Sequence, residues 1–524
     1  MKKIILFLCF SFSSFAVAAG ERPRLVVGIV ISHFYPEWLQ WYGPALSAGG
    51  FKRLTGGRSL TMDYNYFYSQ TGVDHASLYT GMLPAEHGIV SHAWYDRLRK
   101  KRQDAVASPE HVEVGSAGTN EVKSFSPRFL RTLSLGSVLK MNDASSKVFS
   151  VAMNGEEAVL SGGNSADLAI WYSEETGEWI TSSYYAPRLP AWLSRFNDTI
   201  DSDVFVRAGW TSLPRRQAGG GRPANRPGSS AGFYYDIARS RKEYNTYRVL
   251  KATPHANTLV RALAEALISG EGLGEDDAPD LLTLNFSCLD YMHRDFAVDS
   301  GENKDLVLRL DGELSALFAH LDASVGAGNY TVLLTVSEAR ELLPGELARL
   351  KVEAGYFSVS RASALIKSYL GLVYGDGEWL VDYDQGQLYL NRDLINERKL
   401  DPREMQERVA EMMIDFEGVD KVMTAYSLTR ATSPPGTNRL VQNAFYHKRS
   451  GDVMFCLQPT WVPELKGVED TYCRYSRRTV VPLYLWGAGI PAEIDGRQEV
   501  TGVMPLLCRI LGIPLPYTIR EDQR

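Results

Sequence analysis

Thr71 stands near the head of Gln70-Thr71-Gly72-Val73-Asp74-His75-Ala76-Ser77-Leu78-Tyr79-Thr80-Gly81, which reads as a small-residue turn. A hydroxyl presented in this way can act as a nucleophile. Unassisted it is weak at neutral pH, so it needs a base or a metal ion beside it. His75 is the nearest candidate base, but no third group to orient it stands out, as a metal-free transferase or esterase would require. Asp74 lies just past Thr71. It reads as an N-terminal cap of the following helix, or as a charge that repels an incoming anion.

Positioning such groups takes a scaffold. Leu25-Val26-Val27-Gly28-Ile29-Val30-Ile31 is a continuous apolar run, and Leu281 to Phe286 and Tyr330 to Val336 read the same way. Runs of this kind are buried strands of a parallel sheet. Val480 to Trp486 joins them, with Pro482 predicting an edge or a bulge. Apolar residues at three- and four-residue spacing predict helices over Thr258 to Leu267 and Asp305 to Leu321. Strands alternating with helices predict an α/β fold with a mostly parallel central sheet flanked by helices. Sites in such folds form where strands end. The residues to inspect are therefore Ser32-His33, Ser287 to Arg294, and Ser337-Glu338.

Residues 350–440 read as an inserted α+β cap, with a half-buried strand at Gln387 to Leu390 and an amphipathic helix over Pro402 to Phe416. The core then spans 20–349 and 441–524. Gly219 to Ser230 reads as an exposed Gly/Pro/Arg loop. The 524-residue chain has 44% hydrophobic residues and a net charge of -6, enough for a large core and without the basic surplus that nucleic acid attracts. Residues 1–19, with Lys2-Lys3, an apolar stretch and Ala16-Val17-Ala18-Ala19, read as a secretory signal peptide, which predicts a periplasmic or secreted protein with no transmembrane segment. Export permits disulfides among Cys288, Cys456, Cys473 and Cys508, with Cys456 and Cys473 the preferred pair, although buried thiols are an equal reading.

Several short pieces carry a family resemblance. They include Gly50-Phe51-Lys52-Arg53-Leu54, Ala76-Ser77-Leu78-Tyr79-Thr80-Gly81, Pro84-x-x-His87-Gly88-Ile89 and Trp94-Tyr95-Asp96. Ala169-Ile170-Trp171-Tyr172, Thr176-Gly177-Glu178-Trp179 and Lys448-Arg449-Ser450-Gly451-Asp452-Val453 follow. In this order the chain resembles, over nearly its whole mature length, the monomeric zinc-dependent bacterial alkaline phosphatases of the phosphate-irrepressible type. Those are relatives of the nucleotide pyrophosphatase/phosphodiesterases. The resemblance implies an alkaline-phosphatase-like sandwich, Thr71 as nucleophile, and two zinc ions about 4 Å apart that clamp the attacking and leaving oxygens.

The ligand set that the resemblance implies is largely replaced. Ser32 stands at the position of the first aspartate. Asp290 is retained, but Arg294 falls where a histidine belongs. Ser337-Glu338 replaces an Asp-His pair, and Val480 aligns with the last histidine. At the phosphate-binding positions stand His92, Asn154 and Glu156, in place of an Asn and a Lys-x-Arg pair. Arg294 repels a dication and Glu156 a phosphate dianion. Phosphate monoester hydrolysis needs up to about 10²¹-fold acceleration, roughly 28 kcal/mol, most of it supplied by the metals.

The resulting expectation is a pseudophosphatase without a cofactor, holding an unknown ligand or an envelope protein partner. Trp38, Trp41, Tyr42, Tyr66, Phe67 and Tyr68 are candidate exposed aromatics for that role, with core and rim packing the stronger reading. The alternative is a divergent metal-dependent phosphoesterase using Thr71 and zinc or manganese on His33, Asp290, His293 and Glu338. Strand alternation speaks against it, because a one-residue shift turns His33 and His293 to the other face. His75 and His87, both in Gly-containing turns, are expected to be structural and to bond backbone carbonyls.

Overall fold

The computed structural model describes residues 22–213, 232–244, 247–292, 296–430, 432–464, 478–517 and 519. The signal-like segment, the Gly219 to Ser230 loop, Cys473, His293 and Arg294 lie outside them. An eleven-stranded mixed sheet forms the centre. Its middle consists of β1 (Leu25–Ser32), β2 (Val148–Ala152), β3 (Leu168–Tyr172), β4 (Asp280–Phe286) and β5 (Tyr330–Ser337). They lie in the order β5-β1-β4-β2-β3, each parallel to its neighbours. Every residue of these five strands is buried, which is why they are largely apolar in the sequence.

β6 (Val480–Gly487) departs from the expectation of a parallel or edge strand. It runs antiparallel between β5 and the strand Arg58–Asp63, inside the sheet. Pro482 lies one residue past the last register pair with β5, Thr335 opposite Leu483, and pairs with Thr61 on its other side.

Helices cover the sheet. Pro254–Glu271 and Gly301–Leu321 contain the two predicted helical stretches and pack on each other. α1 (Thr71–Thr80) packs on α2 (Gly155–Gly162) and on the helix Val500–Leu511. All ten residues of α1 are buried. Gly28 allows α1 to approach the sheet, because a side chain there would strike the ring of Tyr79.

A second sheet orders Leu380–Asp384, Gln387–Leu390, Val453–Leu457 and Val419–Thr424. Gln387–Leu390 is an inner strand and fully buried rather than half-buried. The helix Pro402–Ile414 covers this sheet with Met405, Val409 and Met413. Among the described residues no helix is long and apolar enough to cross a membrane. Cys288 and Cys508 are buried free thiols, and Cys456 is buried, its expected partner Cys473 lying outside the described residues. Of the candidate surface aromatics, Trp38 and Tyr66 are core residues, whereas Trp41 is exposed.

Candidate functional site

The C-terminal ends of β1, β2, β4 and β5 open onto one cavity of about 30 Å³, lined by His33, Gln70, Thr71, Gly72, His92, Asn154, Glu156, Glu157, Asp290, Tyr291 and Glu338. Crevices beyond the carboxyl ends of parallel strands are the usual binding positions of such sheets. Thr71 is the first residue of α1 rather than part of a turn. Gln70, the residue before it, is extended at φ -138° and ψ 137°. The Gln70 side-chain oxygen accepts from Ser91 Oγ and from the His92 backbone N–H, both at 3.1 Å, and so ties the His92 loop to the head of α1.

His33 and Glu338 follow Ser32 and Ser337, which are register partners on β1 and β5. Both adopt left-handed backbone, with φ of 53° and 44°. This conformation is rare for residues with side chains and gathers at functional sites. It also overturns the expectation from strand alternation, since the turn brings His33 into the cavity instead of away from it. His33 Nδ1 lies 2.8 Å from Asp290 Oδ1, and Nε2 lies 3.2 Å from Glu338 Oε2. The other Glu338 oxygen, Oε1, accepts the Thr71 backbone N–H at 2.8 Å. Asp290, His33, Glu338 and Thr71 therefore form a continuous chain of contacts.

Glu338 is held from behind by Asp74. This aspartate does not cap α1. It accepts from Tyr66 Oη at 2.6 Å, from Ser69 Oγ at 2.5 Å and from the Glu338 backbone N–H at 3.2 Å. Burial pushes its carboxyl up to about 7, against the lowering effect of the Ser69 and Tyr66 hydrogen bonds.

The opposite wall is α2. Asn154 caps it by accepting from the Glu156 N–H at 3.1 Å. Glu156 contacts Gly72, where a side chain would strike its carboxylate, and its Oε2 pairs with His92 Nδ1 at the cavity rim. Burial, then the charges of Asp290 and Glu156, push the Glu157 carboxyl well up. Lys251, buried on this side, is 2.7 Å from Glu174 Oε1.

Thr71 Oγ1 has no hydrogen-bond partner among the described residues. His75, one turn on, does not line the cavity. Its Nδ1 meets Ser161 Oγ at 2.5 Å, and burial lowers it to about 3, so it is neutral and committed elsewhere. His87 pairs with Ser77 Oγ at 2.9 Å. Both histidines thus bond hydroxyls, not backbone carbonyls. Ser32 Oγ faces Asn285 Oδ1 at 3.3 Å and Ser337 Oγ at 3.2 Å, and Val480 is exposed. Among the described residues no three of His, Cys, Asp and Glu are placed to share one metal ion. Gln70 and Glu157 had no role in the sequence reading. The adjacent acids Glu156-Glu157, directly after Asn154 at the end of a buried strand, were the signal available for the second.

The fold is that of the alkaline phosphatase superfamily. The crystal structure of wild-type alkaline phosphatase PafA superposes with a TM-score of 0.85 at 27% identity, covering 95% of this chain and 98% of that one. A family model, type I phosphodiesterase / nucleotide pyrophosphatase, matches residues 26–338, more than half of the chain. The chain belongs to that family. Alkaline phosphatase PafA of Elizabethkingia meningoseptica is 29% identical over 510 residues, covering 95% of this chain and 93% of its own length. A protein of Myroides odoratus named calcium-transporting ATPase is 28% identical over 532 residues, covering 98% and 96%.

Proposed function

We propose that this is an exported, alkaline-phosphatase-like pseudophosphatase that acts as a binding or scaffold protein. The observation that carries the reading is the pair of carboxylates over Thr71. Glu338 accepts the Thr71 N–H, and Glu156 lies against Gly72. The head of a helix attracts anions, and here the chain's own carboxylates take that place. A phosphoryl group brought to Thr71 Oγ1 meets both. Each pair of unit charges at 4 Å costs roughly 4 kcal/mol at an effective dielectric of 20.

The donor set does not fit a dizinc centre. Of the positions implied by the family resemblance, Asp290 alone keeps its type. Ser32 and Ser337 are neutral hydroxyls facing each other, and Val480 has no donor. His33 has a carboxylate on each ring nitrogen, so it can ligate a metal only by giving one up.

Hydrolysis of p-nitrophenyl phosphate with added zinc is therefore expected at the buffer background, with Thr71→Ala indistinguishable from the unaltered protein. Zinc-dependent turnover lost on Thr71→Ala would overturn the reading. The convergence of His33, Asp290 and Glu338 on one cavity favours a second reading, a divergent metal-dependent phosphomonoesterase or phosphodiesterase completed by His293. Repeating the assay with manganese distinguishes the two.

A further inference from the structure

Three buried oxygens at the cavity have no hydrogen-bond partner among the described residues, Thr71 Oγ1, Glu156 Oε1 and Glu157 Oε2, with Asn285 acting on the Glu157 carboxyl as a whole. Their residues are 8%, 6% and 3% exposed. A buried acceptor without a donor is costly, and a buried carboxylate more so. The three come from two packed elements, the first residue of α1 and the first turn of α2. The glycine at position 72 brings the Glu156 carboxylate directly against the head of α1. Lys251, 2.7 Å from Glu174 Oε1, acts on Glu157 through its charge but hydrogen-bonds none of the three oxygens.

A partner that donates several hydrogen bonds, needs no acceptor and carries positive charge would satisfy the three oxygens. A primary ammonium does all three, with three N–H donors and no acceptor. Size agrees, because a cavity of about 30 Å³ holds one or two groups the size of a water molecule. A metal ion is the poorer match, since among the described residues no three suitable side chains are placed to share one.

We propose that this cavity binds a small primary amine as its ammonium ion, donating to Glu156, Glu157 and Thr71, with the alkyl stem leaving past His92. The His92 side chain is 41% exposed and marks the open rim. This inference rests on the reading of the site as a binding site and names its ligand class.

The test is calorimetric titration and thermal shift of the full chain with methylammonium, tetramethylammonium, manganese and calcium, at constant ionic strength. Methylammonium is expected to bind and to raise the melting temperature. Tetramethylammonium, which has no N–H, is expected to do neither. Glu156→Gln and Glu157→Gln, each checked for folding by circular dichroism, are expected to weaken methylammonium binding tenfold or more. A silent methylammonium titration overturns the proposal. So does an equal response to tetramethylammonium, a response to the divalent ions alone, or unchanged affinity in both folded variants. The same preparation assayed with p-nitrophenyl phosphate separates the two claims. Thr71-dependent turnover removes the pseudophosphatase reading, whereas silence in both assays removes the amine alone.

Discussion

Phosphate binding should appear when the two carboxylates over Thr71 are neutralised together. The double variant Glu156→Gln, Glu338→Gln keeps both side-chain shapes and leaves an oxygen at 338 to accept the Thr71 N–H. It removes two negative charges from the space a phosphoryl group would occupy. The unaltered protein should give no heat with inorganic phosphate. The double variant should bind it a hundredfold tighter or more, a change of about 2.7 kcal/mol. That is modest beside the roughly 4 kcal/mol per charge pair expected at 4 Å, which leaves room for screening by solvent and by His92. Calorimetric titration of both proteins with phosphate measures it. An unchanged affinity in a folded double variant would mean that something other than these two charges excludes phosphate.

The largest stability effect is expected at Asp74. Its carboxylate receives the Tyr66 and Ser69 hydroxyls and the Glu338 N–H inside the core. Asp74→Ala leaves the Tyr66 and Ser69 hydroxyls without this acceptor, at about 1–3 kcal/mol each, so the total loss should be about 2–6 kcal/mol, while the Glu338 N–H keeps Ser69 Oγ at 3.2 Å. Glu338, at a φ of 44°, also loses one of the two acceptors of its backbone N–H. Asp74→Asn keeps one acceptor oxygen and should cost clearly less. Chemical denaturation midpoints of the three proteins check the ranking. A midpoint for Asp74→Ala equal to that of the unaltered protein would show that the hydrogen bonds to Asp74 do not stabilise the fold.

β1, β4 and β5 were legible because burial on both faces writes apolar runs such as Leu25 to Ile31, whereas β2 and β3 were not singled out. The helices over Asp305 to Leu321 and Pro402 to Phe416 were legible from their apolar spacing. What failed was local backbone. Strand alternation placed His33 away from the cavity, but alternation ends where the strand ends, and a left-handed residue there redirects the side chain. The same turn places Glu338 on the Thr71 N–H, a contact that composition and spacing do not encode. Asp74 looked like a cap because it sits near a helix start, yet its partners Tyr66 and Ser69 come from the segment before α1. Pro482 signalled an edge, but register places it just past the last pair with β5. The replacement of ligand-type residues at Ser32, Ser337 and Val480 was readable only through the family resemblance. The acidic wall of Glu156 and Glu157 was half seen, because a second acid in a helix's first turn reads equally well as an interaction with the helix dipole.

We propose that this chain carries an acidic pocket where a two-metal phosphate site would lie. Elemental analysis of the purified full chain, after equilibration with zinc and removal of the free ion by gel filtration, tests it most directly. Zinc is expected well below one ion per chain. About two ions per chain, the stoichiometry of a two-metal phosphoryl-transfer site, would contradict it.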